Sequence, residues 1–144
     1  MARIEIELPD HFAYCTEIPL LGIHMNFTGH LDNALLLTLV SEARQRCWNH
    51  LGYEVLDMEG VRLMIVDAAV LYRSEAAQGE IMVLSLAFRD FHKYGFDIVW
   101  QISARDAARE VARGKTGMLA FDAAANKVAL LPEKLKQKLD SMQQ

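Results

Sequence analysis

In the stretch Leu35-Leu36-Leu37-Thr38-Leu39-Val40-Ser41-Glu42-Ala43-Arg44-Gln45-Arg46-Cys47-Trp48-Asn49-His50-Leu51, the residues Leu36, Val40, Ala43, Cys47 and Leu51 recur at helical spacing. They form one apolar stripe, which Leu35 and Leu39 widen, while Ser41, Glu42, Arg44, Gln45 and Asn49 occupy the other side. Asp32 or Asn33 can cap the start, and Gly52 follows the end as a stop. The pattern predicts a helix of about five turns, buried along one face.

Working outward, the period changes from helical to alternating. Met82, Leu84, Leu86 and Phe88 alternate with less apolar neighbours, as do Phe96, Ile98, Trp100 and Ile102. Arg62 to Arg73 is almost continuously apolar, which predicts a strand covered on both faces. A last strand, Arg109 to Phe121, is expected to break at Gly114 and Gly117. Before the helix, Ile4, Ile6 and Leu8 alternate with Arg3, Glu5 and Glu7 as a strand would, ending at Pro9-Asp10. A second extended segment runs from His11 to Leu21, followed by an irregular loop to Gly29. Pro132 opens a short amphipathic tail helix in which Leu135 and Leu139 share a face. Consecutive strands joined by short turns favour an antiparallel sheet, and a single long helix is best buried by a sheet curling around it. The expected fold class is α+β.

At 144 residues the chain has the size of one domain, and no linker or repeat divides it. Its 52% hydrophobic content supplies a core, and a net charge of −4 gives no basic excess for nucleic acid. The apolar runs are too short to span a bilayer and the N-terminus lacks a signal-peptide core, so a cytoplasmic protein without a membrane partner is expected. Cys15 and Cys47 stand too far apart for a metal knuckle; neither a metal nor a separate cofactor is expected.

The chemistry-bearing stretch is His24-Met25-Asn26-Phe27-Thr28-Gly29-His30-Leu31-Asp32-Asn33, at the entry to the helix. Gly29 allows backbone conformations closed to other residues. The free amides of a first helical turn carry partial positive charge, and can hold an anion or an oxyanion forming on a carbonyl. The plainer role of such a cluster is to cap the helix.

Gly29-His30-Leu31-Asp32-Asn33, followed by Glu42-Ala43-Arg44, resembles the GHVNN…EAR signature of the 4-hydroxybenzoyl-CoA thioesterase-like family of hotdog-fold acyl-CoA thioesterases. Tyr72-Arg73 with Gly79-Glu80, Lys115-Thr116-Gly117 through Phe121-Asp122, and Leu131-Pro132 extend the resemblance along most of the chain. It implies a sheet wrapped around one helix, an acyl-CoA substrate whose coenzyme A is not a separate cofactor, and sites at the interface of a homodimer or a dimer-of-dimers tetramer.

The family commonly carries a catalytic aspartate three residues before the glycine of Gly-His, and here that position is Asn26. An amide cannot ionise, so Asn26 is expected to orient water or the carbonyl by hydrogen bonding. Asp32 and Glu42 are the nearby carboxylates that could serve as base, and His30 is a further candidate. By the resemblance, the Asn33 backbone N–H is the oxyanion donor and Tyr72 lies at the substrate. Coenzyme A phosphates call for a basic rim, for which Arg73, Arg89, Lys93, Arg113 and Lys115 are candidates, and Leu35, Leu39 and Phe88 are candidates for the acyl pocket. The absent aspartate keeps a non-catalytic acyl-thioester binding protein open as an alternative. An enoyl-CoA hydratase or dehydratase, with His30 and Asp32 as its acid–base pair, is the more distant one.

Overall fold

The computed structural model describes residues 2–54 and 56–144; Met1 and Val55 lie outside it. Strand β1 is Tyr14–Pro19 and helix α1 is Leu36–His50, separated by a short 3-10 turn at Gly22–His24. Four long strands follow, β2 at Arg62–Tyr72, β3 at Ile81–His92, β4 at Gly95–Ala104 and β5 at Arg109–Asp122. The two-residue strand β6, Lys127–Val128, and helix α2, Glu133–Ser141, complete the chain. All pairings are antiparallel, in the order β1-β3-β4-β5-β2, with β6 on β5. This is the α+β class expected, a hotdog fold with one long helix against a curved antiparallel sheet.

Alternation explains how the sheet meets the helix. Leu84, Leu86 and Phe88 of β3 stand opposite Ile102, Trp100 and Ile98 of β4, so all six share one face. Each is at least 98% buried, and large side chains so placed contribute about 1.5–3 kcal/mol apiece. Trp48 of α1 stacks on Phe88 at 5.9 Å between ring centroids, which seats the helix on this face. The buried residues of α1 are Leu36, Leu39, Val40, Ala43, Cys47 and Trp48, the predicted stripe from Leu36 to Cys47 with Trp48 added, while Leu35 and Leu51 at its ends are half-buried.

Three expectations are corrected. Residues 2–9 form no strand. Their alternation survives only as half-burial of Ile6 and Leu8, and their carbonyls accept from arginines instead of from a ladder. Arg113 Nη1 donates to Ile6 O at 3.1 Å, and Arg89 Nη1 to Glu7 O at 3.0 Å.

β2 is not covered on both faces. Among the described residues it is an edge strand, pairing only with β5, and Met64, Ile65 and Val66 are 43%, 50% and 51% exposed. A continuous apolar run has the same appearance in a central strand and in an edge that awaits a partner.

β5 does not break at its glycines. A Cβ on Gly114 would stand 2.1 Å from the Trp100 ring, and one on Gly117 would stand 2.4 Å from Asp67 Oδ1. The glycines let neighbouring side chains cross an unbroken strand.

Gly95 is tighter still, because its Cβ would meet backbone, 1.9 Å from Met118 O. That carbonyl cannot move without disturbing the β4–β5 ladder. Gly95→Ala is therefore expected to destabilise the protein by about 3 kcal/mol, the upper part of the overpacking range. The check is a lower urea midpoint at unchanged slope.

Candidate functional site

The loop before α1 is built around one amide oxygen. Asn26 Oδ1 accepts from Thr28 N at 2.9 Å, Thr28 Oγ1 at 2.5 Å and His30 N at 3.3 Å. Backbone bonds from Asn26 N to His30 O and from Gly29 N to Asn26 O close the turn, which requires Gly29 at φ +83°. Asn26 is thus committed to the loop's own backbone. His30 continues the chain of contacts, with Nδ1 at 3.3 Å from Thr28 Oγ1 and Nε2 at 3.3 Å from Glu75 Oε2.

Asp32 is the cap of the turn leading into α1. Its Oδ1 accepts from Ala34 N at 2.8 Å and Leu35 N at 3.0 Å, and its carbonyl from Leu36 N at 3.0 Å. Three helix-start amides are thereby satisfied. The Asn33 N–H is left without a hydrogen-bond partner among the described residues. The Asn33 carbonyl is held in place by Tyr72, whose hydroxyl donates to it at 2.8 Å.

Beside this amide lies a cleft of about 280 Å³, lined by Leu31, Asn33, Leu36, Tyr72, Arg73, Ser74, Glu75, Ala76 and Val111. The residues after β2 are drawn to the helix start by Leu31 N donating to Ala76 O at 2.8 Å and by a bridge between His30 and Ala77. Contacts with β5 brace them: Ser74 Oγ donates to Glu110 O, and Arg109 Nη2 donates to Glu75 O.

The structure brings Asn33, Tyr72 and Arg73 to this cleft, with His30 next to it through Glu75. Glu42 is not among its lining residues and pairs with Arg46 at 3.0 Å. Leu39 and Phe88, expected in an acyl pocket, are 98% buried in the core. His30 and Asp32 do not form a pair, since the His30 ring faces Thr28 and Glu75.

Arg113 and Lys115 lie elsewhere for a reason of parity. Gly114 between them faces Trp100 on the helix side of the sheet, so its neighbours face outward. There Arg113 pairs with Glu110 at 2.9 Å, and Lys115 with Asp67 at 2.7 Å and Asp97 at 3.1 Å. Burial pushes the Glu110 carboxyl up, but hydrogen bonds from Gln101 and Arg113, with the charges of Arg113 and Arg73, hold it below the usual range. Burial likewise lowers Lys115, and its two aspartates outweigh that and raise it. These cations hold the outer face together. The buried Cys47 thiol, pushed up to about 12 by desolvation, is no nucleophile.

Glu75 is the residue that sequence reasoning missed. It follows β2 in a segment without periodicity, and only the fold shows that its carboxylate reaches His30 in the loop before α1.

Residues 22–139 match the thioesterase-like superfamily. No curated protein gives a significant sequence match. Among solved structures, the chain is similar to the 1,4-dihydroxy-2-naphthoyl-CoA thioesterase of Synechocystis, with TM-score 0.79 and 18% identity over 88% of this chain and 93% of that one. A Pseudomonas aeruginosa protein aligns with TM-score 0.81 and 16% identity, covering 89% and 98% of the two chains. A Staphylococcus aureus protein in complex with CoA aligns with TM-score 0.81 and 12% identity, covering 96% and 87%. Among the described residues, no helix is long and apolar enough to cross a membrane.

Proposed function

The chain belongs to the thioesterase-like superfamily, and from that premise we propose that it hydrolyses acyl-CoA thioesters to the free acid and CoA. The observation that carries this reading is the Asn33 N–H, unpartnered among the described residues at a helix start, on a residue that lines a cleft. A thioester carbonyl seated there gains a donor aimed at the oxygen that becomes negative as water adds. The bound CoA of the Staphylococcus aureus neighbour supports the substrate class.

The reaction also needs a base for the attacking water. Asn26 cannot ionise, and the carboxylate of Asp32 is engaged in capping. Glu75 lines the cleft with a carboxylate 76% exposed, and we assign it this role. Asn26, Thr28 and His30 then act as positioning residues, a line of polar contacts ending at Glu75 Oε2. Arg73 is the one cation among the residues lining the cleft, and Glu110 holds it at 3.2 Å.

The open edge of β2 is the surface on which we place a second copy, giving a homodimer or a dimer-of-dimers tetramer. The test of the function is thiol release from a panel of acyl-CoAs, aromatic and short- to long-chain. Turnover of at least one is expected, and no release above background from any would refute hydrolysis. The amide at Asn26 favours one second reading, acyl-thioester binding without turnover. Saturable binding with no release would establish it.

A further inference from the structure

Beyond the cleft at Asn33, α1 borders a second one of about 360 Å³, whose lining includes Arg44, Met58, Leu63 and Met118, with Met64 and Ile65 from the β2 edge on which a second copy is placed above. Its volume suits a small ligand. Three methionines give it an adaptable apolar wall. Arg44 is the one charged residue among its lining groups. The arginines Arg46, Arg73, Arg105, Arg109 and Arg113 each pair with a carboxylate. Arg44 forms no ion pair among the described residues, and its hydrogen bond is from Nη2 to Ser41 Oγ at 3.2 Å on its own helix. Half-buried among apolar groups, its guanidinium has lost water without gaining a counter-charge.

Both clefts are lined by α1 and β2, the first by Leu36 and by Tyr72 at the end of β2, the second by Arg44 and by Leu63 to Ile65 at its start. From Asn33, where the carbonyl is seated, to Arg44 the chain advances about 16 Å at helical rise, a span shared between a medium-length acyl chain and the long arginine side chain that reaches toward it. We infer that the cleft at Arg44 receives an apolar chain ending in a carboxylate, which pairs with the guanidinium. Two sources share that chemistry, the far end of an ω-carboxyacyl thioester and a free carboxylic acid. The first rests on the thioesterase reading given above; the second does not. Arg44 is then a specificity-determining residue, and acyl groups with a distal carboxylate are the preferred class.

The experiment compares suberyl-CoA with octanoyl-CoA, chains of equal length that differ in the terminal carboxylate, in wild type and Arg44→Met. It also measures binding of free octanoate by calorimetry. The wild type is expected to favour suberyl-CoA, and Arg44→Met to reduce that preference by about tenfold, the loss of one charge-assisted pair. Loss of octanoate binding in Arg44→Met at an unchanged suberyl-to-octanoyl ratio would also support the site, with the free acid as its ligand. Unchanged preference together with unchanged octanoate binding would overturn it. So would a shift in oligomeric state by light scattering with both ligand readouts intact, which gives the cleft to a second copy. Should no thioester be hydrolysed by any variant, the thioesterase reading fails and the octanoate measurement still decides on Arg44. If Arg44→Met does not fold, Arg44→Gln gives the same readouts.

Discussion

Asn33→Pro is expected to fold normally and to lose about 100- to 1,000-fold in kcat for thioester hydrolysis, the usual cost of one oxyanion donor. Proline removes the one group the proposal requires, the backbone N–H, and leaves the rest of the turn in place. That N–H has no partner to lose among the described residues, and the carbonyl that accepts from Tyr72 remains. Position 33 directly follows the capping Asp32, where proline's fixed φ suits an incipient helix. A proline at 33 biases Asp32 toward the extended region that a cap favours. Asn33→Ala is the control, since it deletes the side chain and keeps the amide. Steady-state kinetics of the two variants, with thermal melts to verify folding, separate amide from side chain. Equal turnover in both would remove the helix start from the chemistry.

Glu75→Gln should reduce kcat by at least about 100-fold, within the range for losing a general base, while KM changes little. The amide is nearly isosteric and keeps an oxygen for His30, yet it cannot take a proton from water. Effects should then diminish along the line of contacts. His30→Ala loosens Glu75 without removing it, so a smaller loss is expected, and His30→Gln, which keeps a donor, should recover part of it. Asn26→Ala acts one step further away, through Thr28 and the loop. If Glu75→Gln retains full kcat while Asn26→Ala abolishes it, the roles assigned to the two residues are reversed.

The fold was legible where a single period controls burial. The stripe from Leu36 to Cys47 and the alternation of β3 and β4 each follow from one face meeting one core. Period alone misled at residues 2–9, whose alternating pattern is satisfied by half-burial and by arginines on their carbonyls. It was also ambiguous at β2, where apolar residues mark an edge.

In the site, the loop from Asn26 to Asn33 was visible because its polar residues and glycine are contiguous. Glu75 was not, since its place depends on a bond between Leu31 and Ala76 that joins distant parts of the chain. Parity could have moved Arg113 and Lys115 away from the cleft, had Gly114 been read as a gap for an aromatic ring instead of a break.

The unpaired edge of β2 runs for eleven residues and ends at Tyr72, whose hydroxyl steadies the carbonyl of the proposed oxyanion donor. A second copy docked along that rim, as proposed above, would also fix the tyrosine and so couple assembly to turnover by mass action. Specific activity should consequently decline on dilution and recover on concentration, which makes the protein's abundance a control on its own output.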